Sequence, residues 1–118
     1  MRKILVLDDD QVILDLLRTV LSDADYDVIV AAAPDAIRAN ASPDLVITDL
    51  VPLKAYQRET ALEWVTTLRT RFVDAAIFVL TAHRDAAAEQ DLLGADTIIT
   101  KPFDVDSLLA RIEEQLSD

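Results

Sequence analysis

Short apolar runs alternate with helical patterns five times along this chain, and that alternation limits its possible folds more than any other feature. Each run is rich in branched or small apolar residues and has the length of a buried strand. Strands that alternate with helices indicate a parallel sheet covered on both faces. The predicted fold class is therefore α/β, with a doubly wound five-stranded parallel sheet. The predicted strands are residues 4–7, 28–30, 45–48, 76–80 and 97–100.

The helices between these strands are predicted from apolar spacing and from residues that begin or end helices. The first carries two apolar rows at i, i+4 spacing. Further helices are predicted at residues 34–40, at residues 85–93 before Gly94, and after Asp104, which can cap a last helix. The two rows of the first helix are Val12, Leu16, Val20 and Ile13, Leu17, Leu21.

The start of the helix before the fourth strand has two interpretations. Thr60 and Glu63 have the spacing of a capping box, which predicts a start near residue 61. Nothing in residues 53–60 breaks a helix, so a start near residue 53 is the alternative.

Length and charge restrict the class of protein. The chain has 118 residues, and residues 1–118 are expected to form a single domain. Its 11 Lys and Arg against 22 Asp and Glu give a net charge of −11, which argues against direct binding to nucleic acid or to a membrane. No cysteine is present, so disulfides and thiolate metal sites are excluded, and a cytoplasmic location is expected.

Polar residues follow four of the predicted strands directly. Asp8 and Asp9 follow the first, Asp49 the third, Thr81 the fourth and Lys101 the fifth. Ligands of open parallel sheets bind at the carboxyl ends of the strands, so these side chains are expected to converge on one pocket.

Each of these residues has an ordinary explanation by itself, such as a helix cap for an aspartate or a solvated charge for the lysine. Together they indicate a specific chemistry. Clustered carboxylates suit Mg²⁺, while a hydroxyl and an ammonium group suit phosphate oxygens. The set therefore predicts Mg²⁺-dependent phosphoryl transfer. Asp10 is expected to cap the first helix rather than to bind metal.

Four segments in order, LVLDDD, PDLVITDLVP, IFVLTAH and GADTIITKPFD, resemble the receiver domain of two-component response regulators. The resemblance covers essentially the whole chain and implies the strand order 2-1-3-4-5. It implies that Asp8 and Asp9 hold Mg²⁺ and that Asp49 accepts a phosphoryl group. The donor would be the phosphohistidine of a histidine kinase or of a histidine phosphotransfer protein. Thr81 and Lys101 would then contact the phosphoryl oxygens.

The chain departs from this family in the loop after Asp49. Pro52 follows Asp49 by three positions, where the family usually has four, so one residue is missing from the loop whose backbone carbonyl binds the metal in the family. By count, that carbonyl belongs to Val51. The longer segment at residues 53–59 lies beside the expected site. Ile98 stands where the family often has an aromatic ring, so a switch would have to rely on loop and helix shifts.

Three functions follow from these patterns. The leading one is a phosphorylatable signalling switch that is not a turnover enzyme, read by an unknown downstream partner through residues 85–117. A pseudo-receiver that binds protein without phosphorylation is the first alternative. The second is a haloacid-dehalogenase-like phosphatase with Asp8 as nucleophile, because Asp8 and Asp10 have the Asp-x-Asp spacing, although Gln11 replaces the usual glycine.

Overall fold

The computed structural model describes residues 2–37, 41–50 and 57–117. Five parallel strands form one sheet in the order β2-β1-β3-β4-β5, which confirms both the predicted fold class and the strand order. The fourth and fifth strands start where the sequence predicts. The strands are β1 (Lys3–Leu7), β2 (Asp27–Ala31), β3 (Leu45–Asp49), β4 (Ala76–Thr81) and β5 (Thr97–Thr100).

Within the described ranges, four α-helices connect or follow these strands. Asp10 caps the first helix by accepting a hydrogen bond from the Val12 amide, and Asp104 caps the last by accepting one from the Ser107 amide, as predicted. The peptide bond between Lys101 and Pro102 is cis. The helices are α1 (Gln11–Asp23), α2 (Arg58–Arg71), α3 (Arg84–Ala87) and α4 (Val105–Leu116).

The alternation of side chains along the strands builds a separate core on each face of the sheet. On one face the strand residues pack against α1 and α4, through residues such as Leu17 and Ile112. On the other face they pack against α2 and the segment before β5, through Val65 and Leu93. Successive residues of β1 therefore enter different cores: Ile4 lies on the first face and Leu5 on the second.

Only one of the two predicted apolar rows of α1 faces the core along its length. Leu17 and Leu21 are buried, and Leu14 joins them. Val12 is 72% exposed and Leu16 is 39% exposed, although both have the spacing of a buried row. One stripe of the helix covers the sheet, so Val12 and Leu16 remain at the surface.

Two predicted helices are wrong in extent. Residues 85–93 do not form one helix: α3 ends at Ala87, and a single turn at Leu92–Gly94 follows. The carboxylate of Asp91 accepts the amide hydrogen bond of Leu93 and thereby replaces a helical partner. The helix predicted at residues 34–40 is a 3-10 turn at Pro34–Ala36, and residues 38–40 lie outside the described residues.

The predicted capping box is also wrong. The described part of α2 begins at Arg58, and Gln57 occupies the N-cap position. Thr60 therefore lies inside the first turn, where its hydroxyl contacts the side-chain oxygen of Gln57 at 3.3 Å. The alternative start near residue 53 falls on residues 51–56, which lie outside the described residues.

In the ranges that the structure describes, no helix combines the length and the apolar composition needed to cross a bilayer.

Candidate functional site

The carboxyl ends of four strands meet at one edge of the sheet. Parallel pairing places Leu7 beside Thr48, Asp49 beside Leu80, and Thr81 beside Thr100. The strands therefore end at about the same level, and the residues that follow them lie on neighbouring positions of this edge. The core residues below them are buried, which holds the strand ends in place.

Lys101 joins the first and third strands at this edge. Its Nζ donates a hydrogen bond to Oδ2 of Asp8 at 2.9 Å and lies 3.5 Å from Oδ2 of Asp49. Asp8 is only 1% exposed, and its other carboxylate oxygen accepts the amide of Asp10 at 2.9 Å. A carboxylate so deeply buried requires such partners, because burial of an unpaired charge is costly.

Three carboxylates form the acidic part of the site. One oxygen each from Asp8, Asp9 and Asp49 lies within 4.8 Å of the others. Asp9 is exposed, whereas Asp49 is half-buried, so the cluster opens toward solvent on the Asp9 side. Hard oxygen ligands in a partly solvated cluster match the preference of Mg²⁺, which keeps several waters and takes few carboxylates from the protein. The donor set fits this ion.

The electrostatics of the site shift two pKa values. Burial raises the pKa of Asp49, the charge of Asp8 raises it further, and the ammonium of Lys101 and the Leu50 amide act in the opposite direction. Burial by itself lowers the pKa of Lys101, but the hydrogen bond to Asp8 and the charges of Asp49 and Asp8 more than offset it. The pKa of Lys101 is therefore raised, and the lysine stays protonated at neutral pH.

Thr81 and the loop after Asp49 complete the predicted set. Thr81 is buried at the end of β4, and its hydroxyl oxygen accepts the His83 amide at 3.0 Å. That bond leaves the hydroxyl proton of Thr81 available for donation. The Val51 carbonyl lies outside the described residues. Ile98 is half-buried and packs against the core on the α2 face.

Asp10 belongs to the helix rather than to the acidic cluster. Its Oδ1 accepts the Val12 amide at 2.9 Å, as expected of an N-cap. A phosphatase of the Asp-x-Asp type would need this carboxylate as a second catalytic group beside Asp8. Here it is engaged by α1, and Asp8 is held by Lys101.

Sequence reasoning missed three groups around Asp49, of which two contact this residue directly and the third acts on one of those two. The amide of Leu50 donates to Oδ1 of Asp49 at 2.8 Å, and the hydroxyl of Thr48 donates to the Asp49 carbonyl at 2.7 Å. Trp64, which the sequence suggests is a packing residue or part of the exposed helix surface, donates its indole N–H to Thr48 at 2.9 Å. One signal was present: a half-buried tryptophan usually finds a partner for its N–H group.

Comparisons with known proteins identify the family. The model of the response regulator receiver domain matches residues 4–113. Response regulator MprA of Mycobacterium sp. (strain KMS) is 39% identical over 121 residues, which cover 97% of this chain and 50% of that protein. Transcriptional regulatory protein KdpE of Mycobacterium tuberculosis is 37% identical over 117 residues, with 95% of this chain and 50% of that protein covered. The chain thus spans about half the length of these curated relatives.

Solved structures show the same architecture. Response regulator TrrA of Thermotoga maritima, in complex with Mg²⁺-BeF, superposes with a TM-score of 0.79 at 28% identity, covering 98% of this chain and all of that one. A response regulator of Burkholderia pseudomallei with a phosphorylated aspartic acid and a calcium ion has a TM-score of 0.74 at 27% identity, covering 93% of this chain and 65% of that one.

The family match, together with the sheet order and the cluster of Asp8, Asp9 and Asp49, does not favour the phosphatase or the pseudo-receiver. Response regulators are signalling proteins rather than turnover enzymes. This chain belongs to the response regulator receiver domain family, and it is a phosphorylatable signalling switch.

Proposed function

We propose that Asp49 is the phosphoacceptor of this receiver domain. The observation that carries the proposal is the position of Lys101, whose ammonium group contacts Asp8 and Asp49 together. Asp49 is half-buried at the end of β3, which leaves one side of its carboxylate open to an incoming donor. Asp8, by contrast, is almost fully buried and bound on both oxygens, which makes it a poor nucleophile.

In the proposed reaction, an oxygen of the Asp49 carboxylate attacks the phosphorus of a phosphohistidine. A new P–O bond forms while the P–N bond breaks, and the electron pair of the P–N bond stays with the imidazole. The other ring nitrogen of the donor carries a proton, so the ring leaves as neutral histidine. Lys101 and the hydroxyl of Thr81, which lie at neighbouring strand ends, would hold phosphoryl oxygens. Their role is to orient the group and to offset its charge.

Asp8, Asp9 and Asp49 would hold Mg²⁺, with the backbone carbonyl of Val51 as a further ligand. When bound, Mg²⁺ supplies the positive charge that lets one anion approach another. The support is the set of three carboxylates, whose summed formal charge exceeds that of the Lys101 ammonium group, the one that the described residues place among them.

The proposed partners are a histidine kinase or histidine phosphotransfer protein as donor and a downstream protein or effector domain as reader. The reader would recognise a change in the part of the chain after β4, where residues 84–117 contain α3, β5 and α4. With Ile98 in place of an aromatic ring, that change would depend on movements of the backbone and of Thr81 rather than on a ring rotation. The net charge of −11 disfavours direct nucleic-acid binding by this domain.

We further propose that residues 1–118 form a single receiver domain and that it functions in the cytoplasm. One sheet contains all five strands, and one family model covers residues 4–113. The lack of cysteine is consistent with a reducing compartment.

The test is incubation with Mg²⁺ and acetyl phosphate, followed by mapping of base-labile phosphate along the chain. We expect phosphate on Asp49, no incorporation in Asp49→Asn, and no incorporation when EDTA removes the metal. Phosphate on Asp8, or full labelling of Asp49→Asn, would contradict the proposal.

Asp10→Asn is the matched control. It also removes one carboxylate from the acidic stretch, but asparagine caps a helix as well as aspartate does. Labelling of this variant is expected to equal that of the native protein. If a purified histidine kinase also fails to phosphorylate the native chain, the pseudo-receiver becomes the better interpretation.

A further inference from the structure

We propose that Trp64 is a positioning residue for the phosphoacceptor, acting on Asp49 through the hydroxyl group of Thr48. The inference rests on the proposed function of Asp49. Trp64 lies on a helix and not at a strand end, and the inference gives it a role in holding the reacting carboxylate in place.

The first step is a chain of two directed hydrogen bonds. The indole Nε1 of Trp64 donates to Oγ1 of Thr48 at 2.9 Å, and the same Oγ1 donates to the Asp49 carbonyl at 2.7 Å. An indole N–H can only donate and a carbonyl can only accept, so the single hydroxyl proton of Thr48 must point to Asp49. Thr48 is completely buried, and water therefore does not replace either partner.

The second step concerns the peptide group between Asp49 and Leu50. Its carbonyl accepts from Thr48, and its amide donates to Oδ1 of Asp49 at 2.8 Å. A peptide group is planar, so its carbonyl and amide turn together. When the Thr48 hydroxyl fixes the orientation of the carbonyl, it also fixes the amide that donates a hydrogen bond to the Asp49 carboxylate.

The third step is the anchor at the other end of this chain. Trp64 belongs to α2, and its ring packs against the core between this helix and the sheet. A large ring with two side-chain torsions is a rigid support for a hydrogen bond. Phenylalanine would fill most of the same space without the N–H group, so the polar contact can be removed while the packing is largely kept.

The experiment compares rates of Mg²⁺-dependent phosphorylation by acetyl phosphate. Trp64→Phe and Thr48→Val are each expected to lower the maximal rate about tenfold, because small misplacements of a reacting group cost rate steeply. The acetyl phosphate concentration at half-maximal rate is expected to stay unchanged. Thr48→Ser keeps the hydroxyl and should retain the native rate. Thr67→Val makes the Thr48→Val change at an exposed site of α2 and is the matched control.

A second readout does not depend on activity. Trp64 is the only tryptophan, so the protein gives one indole N–H resonance. That resonance is expected to move upfield in Thr48→Val and to stay in place in Thr48→Ser. Each phosphorylation rate is divided by the folded fraction, which the melting curve of that variant gives. If Trp64→Phe does not fold, the comparison of Thr48→Val with Thr48→Ser tests the positioning role.

Because both residues act through one carbonyl, the double variant should be no slower than the slower single variant. A native rate in Trp64→Phe, or a double variant slower by the product of the two effects, would overturn the positioning role while Asp49 remained the acceptor. Absence of phosphate on Asp49 in the native protein would instead overturn the proposed function, and this inference with it. The two failures are therefore distinguishable.

Discussion

At the scale of single residues, the described part of the site has one ammonium group, that of Lys101, for several carboxylates. Lys101 contacts Asp8 and Asp49, and Asp9 lies in the same acidic cluster. The closer partner is Asp8, which is almost completely buried and needs the charge most. Asp49 therefore remains incompletely compensated, and burial raises its pKa despite the nearby lysine. Among the described residues, the receiver site therefore has a surplus of formal negative charge.

This surplus predicts that Asp49→Asn stabilises the metal-free protein. Since the pKa of Asp49 is higher in the folded chain than its ordinary value of 3.8, ionisation of this carboxyl opposes folding. The associated stability is present below that ordinary value and is lost as the pH rises through the raised value. We expect Asp49→Asn to melt about 4 °C higher than the native protein at pH 7 in EDTA, which corresponds to roughly 1 kcal/mol. The difference should vanish at about pH 4.

Asp10→Asn is the control for this measurement, since it removes a charge from an exposed cap and should change the melting temperature little. A lower melting temperature for Asp49→Asn at pH 7 would mean that the attraction of Lys101 outweighs the cost of burial.

At the scale of elements, the end of α1 shows how tertiary contacts can impose a strained residue. The Tyr26 amide bonds the Leu21 carbonyl at 3.1 Å, and the Asp25 amide bonds the Ser22 carbonyl at 3.0 Å. This is the Schellman arrangement, in which the residue after the cap is usually glycine. Here it is Asp25, with a φ of +70°. The sequence has no glycine at this turn, so it gives no local signal for the positive φ. The packing of Leu21 and Tyr26 on the sheet enforces the turn instead.

The strain predicts opposite effects for the same substitution at two neighbouring aspartates. Asp25→Gly should raise the free energy of unfolding by about 1 kcal/mol, because glycine adopts a positive φ without steric cost. Asp23→Gly, in the last turn of the same helix and also exposed, should lower it by about the same amount. Urea unfolding of the two variants checks this. A loss of stability in Asp25→Gly would show that the aspartate side chain contributes more than its backbone strain costs.

In the segment between α3 and β5, tertiary contacts also impose left-handed backbone angles, here on three consecutive residues. Leu92, Leu93 and Gly94 all have positive φ angles, of 55°, 55° and 81°. Two arginines of α2 hold this segment: Arg58 pairs with Glu89 and Asp91, and Arg69 bonds the Gly94 carbonyl and Asp96. Leu93 is fully buried beneath them. Local propensity predicted a helix at residues 85–93, but contacts with α2 selected a left-handed turn instead.

At the scale of the whole molecule, the sheet separates the cores and brings the charged residues to one edge. Its carboxyl edge combines Asp8 from β1 with Asp49 from β3, 41 residues later in a chain whose net charge is −11. A divalent cation bound there would link two strands that pair directly. Binding to the folded state alone stabilises that state by mass action.

We therefore predict that millimolar MgCl₂ raises the melting temperature of the native protein. At a concentration one hundred times the dissociation constant, the free energy of unfolding rises by about 2.7 kcal/mol. The gain should be much smaller in Asp9→Asn, which removes the exposed ligand and leaves the Lys101 contacts in place. NaCl at matched ionic strength controls for general screening. An equal rise with NaCl, or an undiminished rise in Asp9→Asn, would argue against a site made by these carboxylates.

The sequence by itself determined the features that depend on neighbouring residues or on the position of a strand end. The five apolar runs became the five strands, and Asp10 and Asp104 became caps. Asp8, Asp9, Asp49 and Lys101 came together because parallel strands end at one edge. These outcomes follow from side-chain period, capping chemistry and sheet geometry, all of which act over a few residues or repeat along the chain.

Only the tertiary structure decided the contacts between elements that are distant in sequence. It placed Trp64 on Thr48, turned the row of Val12 and Leu16 toward solvent, and held Leu92 and Leu93 in left-handed conformations. None of these has a local signal strong enough to outweigh the alternatives, because each depends on which helix covers which part of the sheet. The free energy gained by burying a side chain such as Leu93 exceeds the cost of an unfavourable backbone angle, and that comparison exists only once the chain has folded.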